Sequence, residues 1–152
     1  MRDRIEEALR EAMPTRDTVR VCTLRLMLAA IKDRDLALRA EEDRGDVELD
    51  DAGVHQLLST MVKQREQSAE AYREAGRMEL AQREDAETRI IREFMPKQMT
   101  EAEIRRAVAQ AIGETGAGSI RDMGKVMGHL KSRYPGRMDF GDAGARVKRA
   151  LG

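Results

Sequence analysis

Apolar residues recur three and four positions apart along nearly the whole chain, and no stretch alternates with the period of two that a strand requires. That spacing commits the chain to helices, interrupted where proline intervenes. Pro14, Pro96 and Pro135 are the only prolines. Each lacks a backbone donor and disfavours helix in the residue before it, so each marks the end of an element. Aromatic residues make up 3% of the 152 and Trp is absent, which leaves little material for a sheet. The fold class that follows is all-α.

The spacing predicts a short first helix over 2–13, with Ile5, Leu9, Ala12 and Met13 on one side. Asp17 then caps a long second helix ending near Glu42. It carries two apolar stripes, one of Val19, Cys22, Leu26 and Ala29 and one of Val21, Leu24, Leu28 and Ile31. Two stripes predict a central helix buried on more than one side. After a charged loop over 44–49, Asp50 or Asp51 caps a third helix whose seam is Val54, Leu58, Met61, Arg65, Ser68 and Tyr72. Steps of four and three of this kind suit nearly antiparallel packing on a neighbour. Gly76 is the expected left-handed cap. A fourth helix to Met95 then folds Leu80, Glu84, Glu87, Ile91 and Phe94 back as a hairpin.

Pro96 is the expected domain boundary. Behind it, Thr100 and Glu103 have the spacing of a capping box that opens a fifth helix burying Ile104, Val108, Ala111 and Ile112. Gly113, Gly116 and Gly118 end that helix. A sixth starts at Ser119 and turns Ile120, Met123, Val126, Met127 and Leu130 inward until Tyr134, Pro135 and Gly136 stop it. A short last helix, preceded by Phe140, carries Val147, Ala150 and Leu151. The predicted organisation is an acidic antiparallel bundle of about four helices over 1–95 and a basic three-helix unit over 96–152. Charge supports the division. The whole chain balances 28 basic against 28 acidic residues, whereas 96–152 holds 11 basic and 6 acidic, a net of +5, leaving −5 in front. A basic tail invites an anionic partner.

Several chemistries find no foothold. One Cys excludes a disulfide framework, and Cys22 lies on an apolar stripe, so a core thiol is expected rather than a nucleophile. His55 and His129 fall in different units and lack the company a zinc site needs, so no metal and no cofactor are expected. The glycines from Gly113 to Gly118, with Gly124 and Lys125 beyond, miss the spacing and the hydroxyl of a phosphate loop. No acid–base or nucleophile–base pair assembles, so the reading leans away from an enzyme and gives no small-molecule substrate. No run of 18 apolar residues exists and the first residues lack a signal peptide's apolar stretch, so a cytoplasmic protein with no membrane partner is expected.

Two constellations remain. Arg65 and Glu87 both occupy apolar-stripe positions across the predicted hairpin. A half-buried charge needs a partner, so they are expected to form an ion pair that fixes register, with Glu84 as second choice. On helix six, Arg121, Lys125, Gly128 and Ser132 project away from the apolar side. Two cations one turn apart beside a glycine would let a polyanion backbone approach closely, unless Gly124 and Gly128 serve close helix packing instead. Lys131, Arg133 and Arg137 extend this patch, and Arg146, Lys148 and Arg149 add a second. No aromatic residue is interleaved for base stacking, so recognition would be by shape and phosphates.

Val62, Lys63, Gln64 and Arg65 with Ser68, then Ala75-Gly76-Arg77, Phe94-Met95-Pro96-Lys97-Gln98-Met99-Thr100 and Asp122-Met123-Gly124-Lys125-Val126-Met127 resemble the GatB/YqeY family in residues and order. The turn from Tyr134 to Phe140 is more elaborate than the family's usual one. The resemblance implies a stand-alone all-helical protein with a front bundle and a three-helix tail. A similar tail ends the B subunit of the tRNA-dependent amidotransferase, and a related module joins some glutaminyl-tRNA synthetases, where it helps to hold tRNA. Carried onto this chain, tRNA binding would fall on Lys97, Arg121, Lys125 and their basic neighbours, with a synthetase or amidotransferase as protein partner. The family label includes a carbon–nitrogen ligase activity with glutamine as amido-N-donor, whose machinery belongs to other domains. The leading expectation is therefore an accessory tRNA-binding module. The alternatives are a protein–protein adaptor and an amidotransferase-associated component.

Overall fold

A computed structural model describes all of residues 1–152 as seven α-helices and one 3₁₀ turn, without strands. The helices are α1 (Arg2–Ala12), α2 (Thr18–Glu42), α3 (Asp51–Glu74), α4 (Met78–Arg92), α5 (Glu101–Thr115), α6 (Met123–Arg133) and α7 (Phe140–Leu151), with the 3₁₀ turn at Ile120–Asp122. They pack as two units, Met1–Met95 and Pro96–Gly152.

In the first unit, side chains start the long helices. Asp17 accepts from the Arg20 amide at 3.0 Å and Asp50 from the Gly53 amide at 2.8 Å, each satisfying a donor that the first turn leaves orphaned. Between α3 and α4 the chain reverses at Gly76, whose φ of +73° only glycine adopts without strain. The Arg77 amide reaches the Tyr72 carbonyl at 2.8 Å and the Gly76 amide that of Arg73 at 3.0 Å, the two bonds of a Schellman cap. Ile5, Leu24, Met27, Ile31, Leu58, Val54 and Ile91 are fully buried and form the core.

One charged group enters this core, beside the buried hydroxyls of Thr23 and Thr88. Asp35 of α2 is 4% exposed. Its Oδ2 takes a hydrogen bond from Arg2 of α1 at 2.6 Å, and its Oδ1 takes one from the Leu49 amide at 2.7 Å. A single carboxylate thus joins α1, α2 and the 44–49 loop.

Three packing expectations fail in this unit. Helix α2 buries one side, through Leu24, Met27 and Ile31, while Cys22, Leu26 and Ala29 face solvent. Cys22 is accordingly an exposed thiol, not a core one. The reason is the buried Asp35, whose partners Arg2 and the Leu49 amide lie outside α2 and fix which stripe turns inward; Thr23, on the same side, bonds only the Val19 carbonyl of its own helix. On α3 the seam steps from Arg65 to the buried Ala69, and Ser68 is exposed. On α4, Ala81 and Thr88 are buried where Leu80 was expected, and Leu80 is 40% exposed. On α3 a straight helix gains on a repeat of seven, so a four-residue step replaces a three as the stripe drifts.

The second unit opens on the capping box, with Thr100 Oγ1 accepting from the Glu103 amide and Glu103 Oε2 from the Thr100 amide, both at 3.2 Å. Helix α5 ends at Gly116 (φ +66°). Ser119 caps the 3₁₀ turn, which runs directly into α6, and Ile120 is 47% exposed rather than inward. A three-residue turn has too tight a pitch to carry the α6 stripe backwards onto Ile120. Asp139 caps α7 by accepting from the Gly141 amide at 2.8 Å. On α7, Ala143, Gly144 and Val147 are buried and Ala150 is exposed. The core also holds Ala107, Val108, Ala111, Val126, Leu130 and Met138. The 134–140 turn secures the segment after Pro96: Gln98 Nε2 donates to the Gly136 carbonyl at 2.7 Å, and the Met99 amide to that of Arg137 at 2.9 Å.

Candidate functional site

The basic side chains of the second unit fall into committed and uncommitted groups. Ser119 accepts from the Arg121 amide at 3.3 Å, and Asp122 accepts from the Gly118 amide at 3.0 Å. The Gly118 amide, with help from the Ser119 amide and the charge of Lys125, holds the Asp122 carboxyl below the usual carboxylate range. These bonds fix the backbone that leads into α6. They leave the Arg121 and Lys125 side chains exposed one turn apart.

Gly124 and Gly128 lie on the same helix and are exposed. A Cβ added at either would meet nothing within 4 Å, so neither is there for close helix packing. Gly144 of α7 makes the contrast, since a Cβ there would sit 3.5 Å from Met123 Cε in the core. The result is a smooth strip on α6 bordered by two unsatisfied cations. Lys131 is exposed as well, on the glycine side of that strip, about a sixth of a turn round the helix from Gly128.

Arg133 and Arg137 are placed differently. Arg133 Nη1 binds Glu114 at 3.1 Å, and His129 Nε2 reaches the same carboxylate at 2.8 Å. Arg137 Nε donates to the Lys97 carbonyl at 3.1 Å, and its guanidinium lies 6.0 Å from the Tyr134 ring centre. Both are committed to partners within the unit. Lys97 itself projects to solvent, as do Lys148 and Arg149.

Arg149 does not join the α6 strip. It lines a separate cleft with Arg105, Val108, Arg146 and Ala150, between α5 and α7. The eight expected RNA-binding cations therefore divide into Arg121 and Lys125 on the strip with Lys131 beside it, Lys97 in the segment before α5, Lys148 and Arg149 on α7, and Arg133 and Arg137, which are committed within the unit. Arg105 escaped the sequence reading. Its signal was its position four residues after Glu101, which puts both on one face of α5.

In the first unit, Arg65 Nε and Glu87 Oε2 lie 3.1 Å apart with side chains 14% and 12% exposed. Arg65 Nη1 also donates to the Met61 carbonyl at 3.3 Å, and Arg83 approaches the other oxygen of Glu87 at 3.6 Å. Glu84 makes no such bond. Burial, reinforced by the negative charge of Glu87, raises its carboxyl above the usual range. No three His, Cys, Asp or Glu side chains are grouped to hold a metal ion, and no helix is long and apolar enough to cross a membrane.

Comparison with known proteins gives the chain a lineage. The protein named altered inheritance of mitochondria protein 41, mitochondrial, from Lachancea thermotolerans is 30% identical over 112 residues, 72% of this chain and 57% of that protein. Its namesake from Eremothecium gossypii is 31% identical over 91 residues, 60% of this chain and 46% of that protein. The chain thus spans about half the length of these curated relatives. The family model described as Yqey-like protein matches residues 2–151, so both helical units lie inside it. By that match, the chain belongs to the Yqey-like protein family.

Proposed function

We propose that this protein is an accessory RNA-binding module that holds tRNA through the basic second unit, without chemistry of its own. The observation that carries the reading is the α6 strip: Arg121 and Lys125 exposed and unneutralised by ion pairs, beside two glycines whose side-chain space is empty. A phosphate backbone can lie close against such a strip, and each cation it meets releases condensed counterions. The contacts are to phosphates, so the binding is steeply salt-dependent and nearly blind to sequence. Lys97, Lys131, Lys148 and Arg149 add to the positive field. We place the activity in the cytoplasm; the two relatives carry mitochondrial in their names, and a fluorescent fusion distinguishes the compartments.

The test is binding of the full chain to total tRNA across a salt series, beside an Arg121→Glu, Lys125→Glu variant. The wild type should bind with affinity falling linearly in the logarithm of salt concentration. The variant should lose roughly two from that slope, about one per cation. A wild type that fails to bind at low salt overturns the reading, as does a folded variant with an unchanged slope.

One observation favours a second reading, a protein–protein adaptor. The outer stripe of α2 leaves Leu26 at 49% and Leu36 at 51% exposure, in line with Cys22 and Ala29. A partner helix would cover it. A tRNA-negative protein that captures an amidotransferase or synthetase subunit would decide for that reading. Glutamine-dependent ammonia release by such a complex would add the amidotransferase-associated role.

A further inference from the structure

The cleft between α5 and α7 brings together Arg105, Arg146 and Arg149 over a floor of Val108 and Ala150. Arg105 and Val108 are three apart on α5, and Arg146, Arg149 and Ala150 follow at three and four on α7, so each helix turns one stripe toward the cleft. Its volume is about 360 Å³, at the small end for a ligand site.

Only one of the three guanidinium groups is neutralised. Arg146 Nη2 donates to both oxygens of Glu101, at 2.6 and 2.7 Å. Glu101 is the first residue of α5 and its side chain is 64% exposed. Arg105 and Arg149 have no ion pair of their own, yet their charges, with the Arg146 hydrogen bond foremost, all act to keep the Glu101 carboxyl ionised. One negative charge therefore sits where three positive fields converge. The cleft remains two charges in excess.

We infer that the Arg105, Arg146 and Arg149 cleft is a subsite for a backbone phosphate of RNA, and that Glu101 is an internal anion which the phosphate displaces from Arg146. The inference rests on the RNA reading above. A phosphodiester suits the site better than a carboxylate does, because its tetrahedral oxygens can meet guanidinium forks arriving in different planes from two helices, whereas a carboxylate's acceptor sites lie in one plane. Glu101 has a definite role in this arrangement. It holds the Arg146 side chain extended over the cleft before the ligand arrives, and it weakens every anion that competes for the same donors. Binding is consequently tuned below what the three arginines alone would give.

Glu101→Gln tests this directly, because it keeps the side chain's length and removes its charge. Loss of an ordinary stabilising ion pair would leave ligand binding unchanged or weaker. Displacement of a competing anion predicts the reverse. With the full chain and total tRNA, Glu101→Gln should bind several-fold more tightly, and an Arg105→Ala, Arg149→Ala variant should lose about two from the salt slope. Inorganic phosphate supplies a separate arm: the side-chain Nε–H resonances of Arg105, Arg146 and Arg149 should shift at lower phosphate concentration in Glu101→Gln than in wild type. If tRNA binds but Glu101→Gln and the double arginine variant match wild type, the subsite is overturned and the RNA reading survives. If phosphate moves the three resonances while no variant binds tRNA, the RNA reading is overturned and with it the assignment of this phosphate to a nucleic acid.

Discussion

The two helical units use charge in opposite ways. In Met1–Met95, carboxylates are drawn into or beside the core, and two of them are answered by an arginine from another helix: Asp35 by Arg2, Glu87 by Arg65. In Pro96–Gly152 the core admits no charge, and the ion pairs among Glu114, His129 and Arg133 and between Glu101 and Arg146 lie on exposed carboxylates. An ion pair removed from water is costly to break because the surviving partner is stranded, whereas a surface pair is worth little because water replaces either partner. Charge therefore secures the architecture of the first unit. In the second it remains largely available to something outside.

Asp35→Ala should break the comparison most severely. It leaves Arg2 without its partner and the Leu49 amide without its acceptor. Because the Arg2 side chain is 24% exposed and partly wet, a loss of about 2–3 kcal/mol is expected rather than the larger cost of a fully buried pair. Amide exchange should quicken at Leu24, Met27 and Ile31 and stay unchanged at Val126 and Leu130. The effect also carries a pH signature. The hydrogen bond from Arg2, and then that from the Leu49 amide, hold the Asp35 carboxyl below the usual range against the opposing effect of burial. A depressed carboxylate contributes stability that is complete above its unfolded pKa and is lost as pH falls through the folded one. The gap between wild type and Asp35→Ala in urea midpoint should accordingly be widest near neutrality and close toward strong acid. A gap independent of pH would mean that Asp35 acts through packing alone.

Asp35 also explains what the sequence disclosed and what it withheld. The spacing of apolar residues is enough to place every helix, because helix length and caps are local: Asp17, Asp50, Gly76 and the Thr100–Glu103 box each act within a few residues. Orientation is not local. Helix α2 has apolar residues on most of its circumference, so its stripes do not tell which one faces the core. Arg2, 33 residues away, decides it by pairing with Asp35. The Arg65–Glu87 contact was easier, since both charges sit on seams of adjacent helices joined by a short turn, and a seam charge must meet its opposite. The basic side chains were the hardest. That Arg133 is spent on Glu114 and Arg137 on the Lys97 carbonyl depends on which loop returns beside them, which no spacing encodes.

Glu84→Gln should sharpen the comparison with a smaller change of opposite sign. Burial, and secondarily Glu87 three residues away, raise the Glu84 carboxyl above the usual range. A raised carboxylate destabilises the fold above its unfolded pKa, and the penalty disappears as pH falls below that value. Neutralising it should therefore stabilise the first unit near neutrality by roughly 0.2–0.5 kcal/mol, the scale of a like-charge pair on one helix turn. At low pH, where wild-type Glu84 is itself protonated, the variant and wild type should coincide in urea midpoint. A Glu84→Gln protein less stable than wild type at neutral pH would mean that Arg65 draws on Glu84 as well as Glu87.

Glu114→Ala should change stability least, although Glu114 has three side-chain partners. Arg133, His129 and Gln110 all reach it, and Gln110 first, then the charges of Arg133 and His129, lower its carboxyl. Yet the carboxylate is exposed, so water substitutes for each partner and the thermal midpoint should stay within experimental scatter of wild type. Its removal nevertheless releases Arg133 and unmasks a cation on α6. If uncommitted charge in this unit is what meets RNA, Glu114→Ala should tighten tRNA binding and steepen its salt slope by about one, with stability unmoved. A protein that instead loses stability as Asp35→Ala does would erase the distinction between the units, because charge would then be holding both of them together.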